Sequence, residues 1–307
     1  MIWPSQIQWI SIPSIVFCTI SLWNAVIYLT CFPLFPLHIS IRKKCLLFGL
    51  ISLSFASFSF GTIFLYSAQT YQAGRFWQNW QFTSAISTLT FLILFSNSYL
   101  NWLKPRLQIL FCLITLSFIP FIFYGNYFLN PAEVPKIFSI FGHTAKILEV
   151  DFSIGAYIFS LWALFNLIII TIKAAKFYRK THTTISLTAA FFIFILAIVN
   201  DILVATQVYH FFYFLEASCV IYIIAMSIQI LYDYVDTSSQ VTRKNEEIKN
   251  LNEEMKFLVG SISHDFTAPL LSIQGFTEIL EEFNLNDRER FKHYLKRIKH
   301  MLSILGL

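Results

Sequence analysis

Charge is the scarcest feature of this 307-residue chain. Only 13% of its residues are Asp, Glu, Lys or Arg, whereas 56% are apolar, and the mean hydropathy is +0.63. A soluble globular domain carries about twice that share of charge. The composition therefore excludes an ordinary water-soluble enzyme.

The charge that is present is unevenly distributed. Residues 1–232 hold 12 Lys or Arg and 5 Asp or Glu, a net charge of +7, and residues 233–307 hold 10 and 12, a net charge of −2; together they give +5. We therefore predict a domain boundary near Tyr232 between an apolar part and a charged part. The pI near 8.9 does not indicate nucleic-acid binding, because the positive charge of the apolar part lies between its apolar runs.

The chain also lacks paired cysteines. Its five cysteines lie within or beside apolar runs, with no CxxC pair and no histidine cluster, at Cys18, Cys31, Cys45, Cys112 and Cys219. This pattern fits neither a disulfide framework nor a zinc site. We expect these residues to behave as small buried hydrophobic side chains.

Seven apolar runs are long enough to cross a bilayer. A helix of about 18 or more apolar residues spans a hydrocarbon layer of ~30 Å, and a single spanning segment in lipid has to be helical. The runs are about 9–32, 45–66, 83–103, 107–128, 152–172, 185–205 and 211–231. We therefore expect residues 1–232 to form a seven-helix transmembrane bundle in contact with membrane lipid.

The distribution of basic residues predicts the orientation of this bundle. Connections 1, 3 and 5 hold nine, namely Arg42, Lys43, Lys44, Lys104, Arg106, Lys173, Lys176, Arg179 and Lys180. The N-terminus and connections 2, 4 and 6 hold three, namely Arg75, Lys136 and Lys146. Because basic loops stay in the cytoplasm, we expect the N-terminus outside and the C-terminus in the cytoplasm.

Two features of the outer side are candidates for anchoring or sensing. Trp77 and Trp80, in the second connection, are predicted to be interfacial anchors. The longest outer connection, 129–151, has an apolar centre. It is interpreted either as a sensing surface or as an interfacial segment that binds no ligand.

Three polar residues form a possible intramembrane site. Asp201 lies in the sixth run, Glu216 in the seventh, and His210 between them, where it can pair with either. Carboxylates within a membrane are costly and mark proton, ion or ligand sites. Both acids lie near the outer ends of their runs, so a structural hydrogen-bonding role is weighed slightly above a functional one.

The charged part begins with a heptad pattern. Apolar residues follow spacings of 7, 3, 4, 3 and 4 at Val241, Ile248, Leu251, Met255, Leu258 and Ile262. This spacing is typical of a coiled coil, which predicts a coiled-coil linker over 233–258. The stretch is short, and an amphipathic helix against another partner is the alternative.

The next segment, SISHDFTAPLLSI at 261–273, resembles the phosphoacceptor box of sensor histidine kinases. The family pattern is Ser-x-Ser-His-Asp/Glu-Leu/Phe-Arg/Lys-x-Pro-Leu-x-x-Ile, and only Thr267 departs from it. The seven-span region, with Gly61 to Tyr66 and the run 76–82, is in turn similar to the N-terminal sensor module of some bacterial histidine kinases. The resemblance implies a multi-pass protein of the bacterial inner membrane.

The resemblance also implies a role for each matching residue. His264 accepts the γ-phosphoryl group of ATP and passes it to an aspartate of a response regulator. Asp265 orients the imidazole, in the way that acids orient catalytic histidines, and Pro269 bends the helix. Residues 259–307 then form a helical hairpin that dimerises into a four-helix bundle, so the chain is expected to be an all-α homodimer.

The family binds ATP and Mg in a separate domain that follows the second helix. This sequence contains no glycine-rich phosphate-binding loop, and nine glycines leave few to build one. We therefore expect the chain to bind neither ATP nor Mg and to be inactive alone. It is interpreted as a fragment of a longer kinase, or as a phosphoacceptor that uses an ATP-binding domain supplied in trans.

One rival interpretation involves no phosphotransfer. The chain is then a seven-span receptor or small transporter with a dimerising helical tail. In that case Asp201 and Glu216 are the functional residues, and His264 is only a residue of the helical bundle.

Overall fold

The computed structural model divides the chain into two compact units, Met1–Tyr234 and Val235–Leu307. The division falls two residues beyond the boundary predicted at Tyr232. The residues that the structure describes are 8–34, 39–130, 136–140, 143–181, 185–206, 208, 213–281 and 288–304.

Nine helices and one short hairpin make up the described chain. A 3-10 turn at Trp9–Ser11 precedes α1 (Ile12–Leu34), α2 (Ile39–Tyr66), α3 (Tyr71–Leu100), α4 (Pro105–Leu116), α5 (Phe118–Phe123), α6 (Ile154–Thr181), α7 (Ile185–Ala205), α8 (Leu215–Glu281) and α9 (Arg288–Ile304). Strands β1 (Lys136–Ile140) and β2 (His143–Ile147) pair antiparallel, with Lys136 opposite Ile147. Apart from this short hairpin the described chain is helical, so the expected all-α character is confirmed in its coarser form.

The predicted membrane character is confirmed in its coarser form. Six helical segments of the described chain are long and apolar enough to cross a membrane, which indicates a multi-pass membrane protein. They begin at Trp9, Ile41, Pro105, Ile154, Ser186 and Leu215. Helix α3 lies where the third span was predicted but is not among the six.

Helix α3 begins earlier than the sequence pattern predicted. It starts at Tyr71 rather than near residue 83, and the hydroxyl of Thr70 caps it by accepting a hydrogen bond from the Ala73 N–H at 3.3 Å. The second connection is therefore only a few residues long. Trp77 is 2% exposed and stacks on Phe64 with ring centroids 4.7 Å apart, so its prediction as an interfacial anchor was wrong.

Polar side chains join α3 to the segments around it. The buried Gln78 amide pairs twice with Val150, donating to its carbonyl at 2.8 Å and accepting from its N–H at 2.7 Å. Gln81 donates to Thr62 of α2 at 2.8 Å. The polarity that lowers the hydropathy of α3 is therefore used in contacts inside the unit.

The fourth predicted span, 107–128, consists of two helices. Helix α4 ends at Leu116, and α5 begins at Phe118 after Ser117, whose N–H still donates to Leu113 at 2.9 Å. The chain then turns at Gly125, where φ is +61°, a left-handed value that suits glycine. Arg75 donates to the Gly125 carbonyl at 2.8 Å and to Asn126 at 2.7 Å, which fixes this turn against α3.

The apolar core of Met1–Tyr234 is rich in aromatic rings. Phe48, Phe95 and Tyr222 are fully buried in it. The Phe55 ring stacks on Phe194 at 5.7 Å and meets Tyr222 edge-on at 5.9 Å. Because lipid is as apolar as these side chains, close packing rather than exclusion of water stabilises such contacts in a membrane.

The second unit is a helical hairpin. It contains the later part of α8, from Val235 to Glu281, and α9, with the rings of Phe276 and Tyr294 5.8 Å apart between the two helices. Residues 282–287, between the two helices, lie outside the described residues.

Gly74 allows α3 to lie close to the backbone at Leu148 within the first unit, Met1–Tyr234, which we call the membrane unit. A Cβ at this position would collide with the backbone carbonyl oxygen of Leu148. We expect Gly74→Ala to destabilise the protein by about 1–3 kcal/mol, the usual range for overpacking. The measurement is the temperature at which the detergent-solubilised chain loses its monodisperse elution.

Gly275→Ala is the matched control, because a Cβ there has no neighbour within 4 Å. Alanine is favoured over glycine in a helix, so this variant should melt no lower than the wild-type chain. Equal melting of Gly74→Ala and the wild type would contradict the close approach.

Candidate functional site

His264 lies on α8 within the second unit, and its side chain is open to solvent. Its side chain is 85% exposed and that of Asp265 is 74% exposed. Its Nδ1 lies 3.4 Å from Oδ1 of Asp265, the distance of a long hydrogen bond. The structure therefore brings the two predicted partners together and leaves the imidazole accessible to a large reactant.

Pro269 lies inside the same helix, which continues to Glu281. Proline has no N–H, so the carbonyl of Asp265, four residues earlier, has no helical donor at this point. The bend predicted at Pro269 stays a prediction.

The heptad residues of α8 form an exposed apolar seam. Their exposed fractions range from 48% to 64%, at Val241, Ile248, Leu251, Met255, Leu258 and Ile262. No described residue of the same copy covers this seam. The seam leads directly into the segment that carries His264.

In the membrane unit, Asp201 caps the beginning of α8. Its carboxylate accepts hydrogen bonds from the N–H groups of Phe214 at 2.6 Å and Leu215 at 3.1 Å, and from the Asn200 amide at 2.9 Å. The first N–H groups of a helix have no partner within the helix, and an acid at this position satisfies them. Asp201 therefore makes the hydrogen bonds that a structural role requires, and that role stays a prediction.

Glu216 is in a different situation, one residue into α8. It is 6% exposed, and its Oε2 accepts a hydrogen bond from Ser14 at 2.6 Å. The hydroxyls of Ser59 and Thr62 also interact with this carboxylate, whereas its buried Oε1 makes no well-formed hydrogen bond among the described residues. Such an oxygen is costly to bury and is available to a bound group.

Another polar group near these acids, centred on Lys136, was not predicted from the sequence. The buried Lys136 ammonium lies 3.6 Å from Glu149 and 3.4 Å from Asp151, and donates to the Ala205 carbonyl at 3.1 Å. Glu149 also accepts a hydrogen bond from Tyr213 at 2.7 Å. The available signal was the five charged residues of segment 129–151, of which Lys136, Glu149 and Asp151 meet in this contact. His210, the third residue of the predicted polar site, lies outside the described residues.

A cavity of about 170 Å³ brings several of these groups together. Glu149, Asp201, Tyr213 and Glu216 all line it, along with side chains of α2, α3, α6 and α7. The sequence predicted two of the three acids that face this cavity. It did not predict the cavity itself.

The Asp201 cap makes a direct prediction. We expect Asp201→Ala to lower the stability of the chain by about 0.5–2 kcal/mol, because the first N–H groups of α8 lose their acceptor. Asp201→Asn should lose less, since an amide oxygen still accepts one of these hydrogen bonds. Thermal unfolding of the purified chain measures both.

The matched control is Asp236→Ala, which removes an exposed carboxylate from the same helix. Its side chain accepts only the Gln240 amide at 3.0 Å, so its effect should be small. An Asp201→Ala variant as stable as Asp236→Ala would contradict the capping role.

No protein-family model matches this chain, and no curated protein matches it.

Proposed function

We propose that the chain is the sensor and phosphoacceptor part of a membrane sensor histidine kinase in a two-component phosphorelay. The observation that carries the proposal is the accessible His264 imidazole, with Asp265 at 3.4 Å from its Nδ1. It stands within the 261–273 segment that resembles the phosphoacceptor box of this family.

The proposed chemistry is transfer of one phosphoryl group. An imidazole side chain provides a nitrogen nucleophile at neutral pH. The Asp265 contact engages Nδ1, so Nε2 attacks the γ-phosphorus of ATP, and the bond to ADP breaks. The phosphoryl group then passes from Nε2 to a carboxylate oxygen of the response regulator, which restores the neutral ring.

The donor nucleotide is proposed to be bound elsewhere. ATP and Mg belong to the ATP-binding domain of the complete kinase, supplied in cis or in trans. In this proposal the chain contributes the accepting nitrogen, the acid that orients it, and the surface that receives the response regulator.

Dimerisation is part of the same proposal. The helix over 241–262 is amphipathic, and a second copy of the chain covers its exposed apolar seam in a parallel coiled coil. The hairpins of two copies, with residues 259–307, then associate as a four-helix bundle. The apolar exposure of the seam in one copy supports this arrangement.

The membrane topology is proposed to have seven spans. Helix α3, 30 residues long, is the additional one. Its polar side chains face other helices rather than lipid, as the Gln78 and Gln81 contacts illustrate, and an interior helix tolerates them. With seven spans the two termini lie on opposite sides, and the excess of basic residues in connections 1, 3 and 5 favours an outer N-terminus and a C-terminus in the cytoplasm of a bacterial inner membrane.

The rival function is a receptor or small transporter without phosphotransfer. The observation that favours it is the cavity with a partly unpaired Glu216. The two functions differ in what they require of His264, and the next experiment separates them.

We expect His264→Gln to abolish phosphorylation. The purified chain in lipid nanodiscs is incubated with ATP labelled in the γ-phosphate and with a histidine-kinase ATP-binding domain supplied in trans. The wild-type chain should acquire label that is lost in acid and retained in base, as phosphohistidine is. The variant should acquire none, because its amide is not a nucleophile.

His293→Gln and His300→Gln are the controls. Both histidines are exposed on α9, and both variants should keep the label. Label that survives His264→Gln, or a folded dimeric chain that acquires no label, would favour the receptor or transporter.

A cysteine pair tests the proposed dimer. We expect Leu251→Cys to form a disulfide between two copies under mild oxidation, because this seam position faces its equivalent in a parallel coiled coil. Glu253→Cys, two residues away on the opposite face, is the control and should cross-link far less. Equal cross-linking of the two variants, measured on non-reducing gels, would exclude the seam as the interface.

A further inference from the structure

The cavity of the membrane unit is elongated and has one polar end. Its lining on α3 extends from Gln78 to Leu92, a distance of about 21 Å at about 1.5 Å per helical residue. The polar lining residues lie towards the Gln78 end, and they include Thr62, Glu149, Asp201 and Glu216. Towards the Leu92 end the lining is aromatic and aliphatic apart from the hydroxyl of Thr88.

The volume of the cavity suits a small organic molecule. At about 170 Å³ it is comparable to an apolar protein cavity of roughly 150 Å³ that binds benzene. Phe55, Leu89 and Leu167 line the apolar part and are buried. A narrow space with an apolar wall favours a single hydrocarbon chain.

The three acids at the polar end differ in how many of their carboxyl oxygens are already hydrogen-bonded. Asp201 is occupied by two backbone N–H groups and the Asn200 amide. Glu149 is held by Tyr213 and faces the Lys136 ammonium. Glu216 is buried, Ser14 donates to its Oε2, and the hydroxyls of Ser59 and Thr62 interact with the carboxylate. Of the three acids, it has an oxygen, Oε1, that is buried and makes no well-formed hydrogen bond among the described residues.

The charge balance of this end selects a cationic group. Three carboxyl groups line the cavity, and Lys136, the basic residue paired with one of them, also interacts with Asp151. A ligand carboxylate or phosphate would be repelled at short range by any of these carboxyl groups that is ionised. A metal ion is disfavoured as well, since no three His, Cys, Asp or Glu side chains among the described residues are arranged to hold one.

We propose that this cavity binds a single-chain amphiphilic amine. Its ammonium group donates a hydrogen bond to Oε1 of Glu216, and its alkyl chain lies between Phe55, Leu89 and Leu167. This site goes beyond the phosphotransfer proposed for His264 and does not depend on it. It gives the membrane unit a ligand class, namely alkylamines of medium length.

Photolabelling of the full chain in nanodiscs tests the proposal. The probe is octylamine with a diazirine on its chain, and the labelled residues are located by mass spectrometry. We expect label on cavity-lining residues such as Leu89 and Leu167, and competition by octylamine but not by octanoate. Glu216→Gln should weaken this labelling about tenfold, as loss of a charge-assisted hydrogen bond does.

Glu253→Gln is the matched control, the same substitution on the same helix at an exposed position that does not line the cavity. It should label as the wild type does. Ala163→Leu is a second test that leaves Glu216 intact, because it fills the space that Ala163 now lines and should remove the label.

Three results would overturn the amine site. They are equal competition by octanoate, label confined to lipid-facing residues such as Leu161, and unchanged labelling in folded Glu216→Gln. If that variant does not fold, Ala163→Leu and the competition with octanoate decide. The assay contains no ATP, so its outcome is independent of whether His264 is phosphorylated.

Discussion

The arrangement of the membrane unit depends on the hydrogen bonds that Asp201 accepts from two backbone N–H groups at the beginning of α8. The first N–H groups of a helix have no partner within the helix, so an acceptor at this point stabilises the start of α8. Asp201 on α7 supplies it and thereby determines where α8 starts. The position of Glu216 follows, because it is the second residue of that helix.

Buried hydrogen bonds made by polar side chains contribute specificity to the packing of the other segments. Gln78 binds both polar groups of Val150, and Ser14 reaches Glu216 across the unit. Apolar contacts between helices resemble contacts with lipid and discriminate poorly between arrangements. A few buried polar pairs therefore select one packing of otherwise similar apolar surfaces.

The sequence was informative where a pattern follows from one helix alone. Hydrophobic length located the helices of the first unit, and α7 occupies the residues that were predicted. It was less informative where neighbours decide the outcome. Trp77 is buried rather than interfacial because Phe64 stacks on it, and α3 extends over residues that were assigned to a connection.

The candidate sites also differ in how far the sequence alone could predict them. His264 and Asp265 are adjacent in sequence, so their contact could be predicted from spacing alone. The pairing of Lys136 with Glu149 joins residues whose contact depends on the strand pairing of β1 and β2. The cavity is formed by five helices and loop residues, and no local pattern encodes such a space.

Pro269 has a mechanical consequence for the helix around His264. A helix extends or unwinds first where one of its backbone hydrogen bonds is missing. Here the missing hydrogen bond is the one that the carbonyl of Asp265 would accept from residue 269. Asp265 thus contacts the imidazole through its side chain, and its backbone carbonyl lies in the turn that lacks a hydrogen bond. Tension along the helix would be concentrated within one turn of the histidine, where a small change in backbone angle moves the carboxylate relative to the ring.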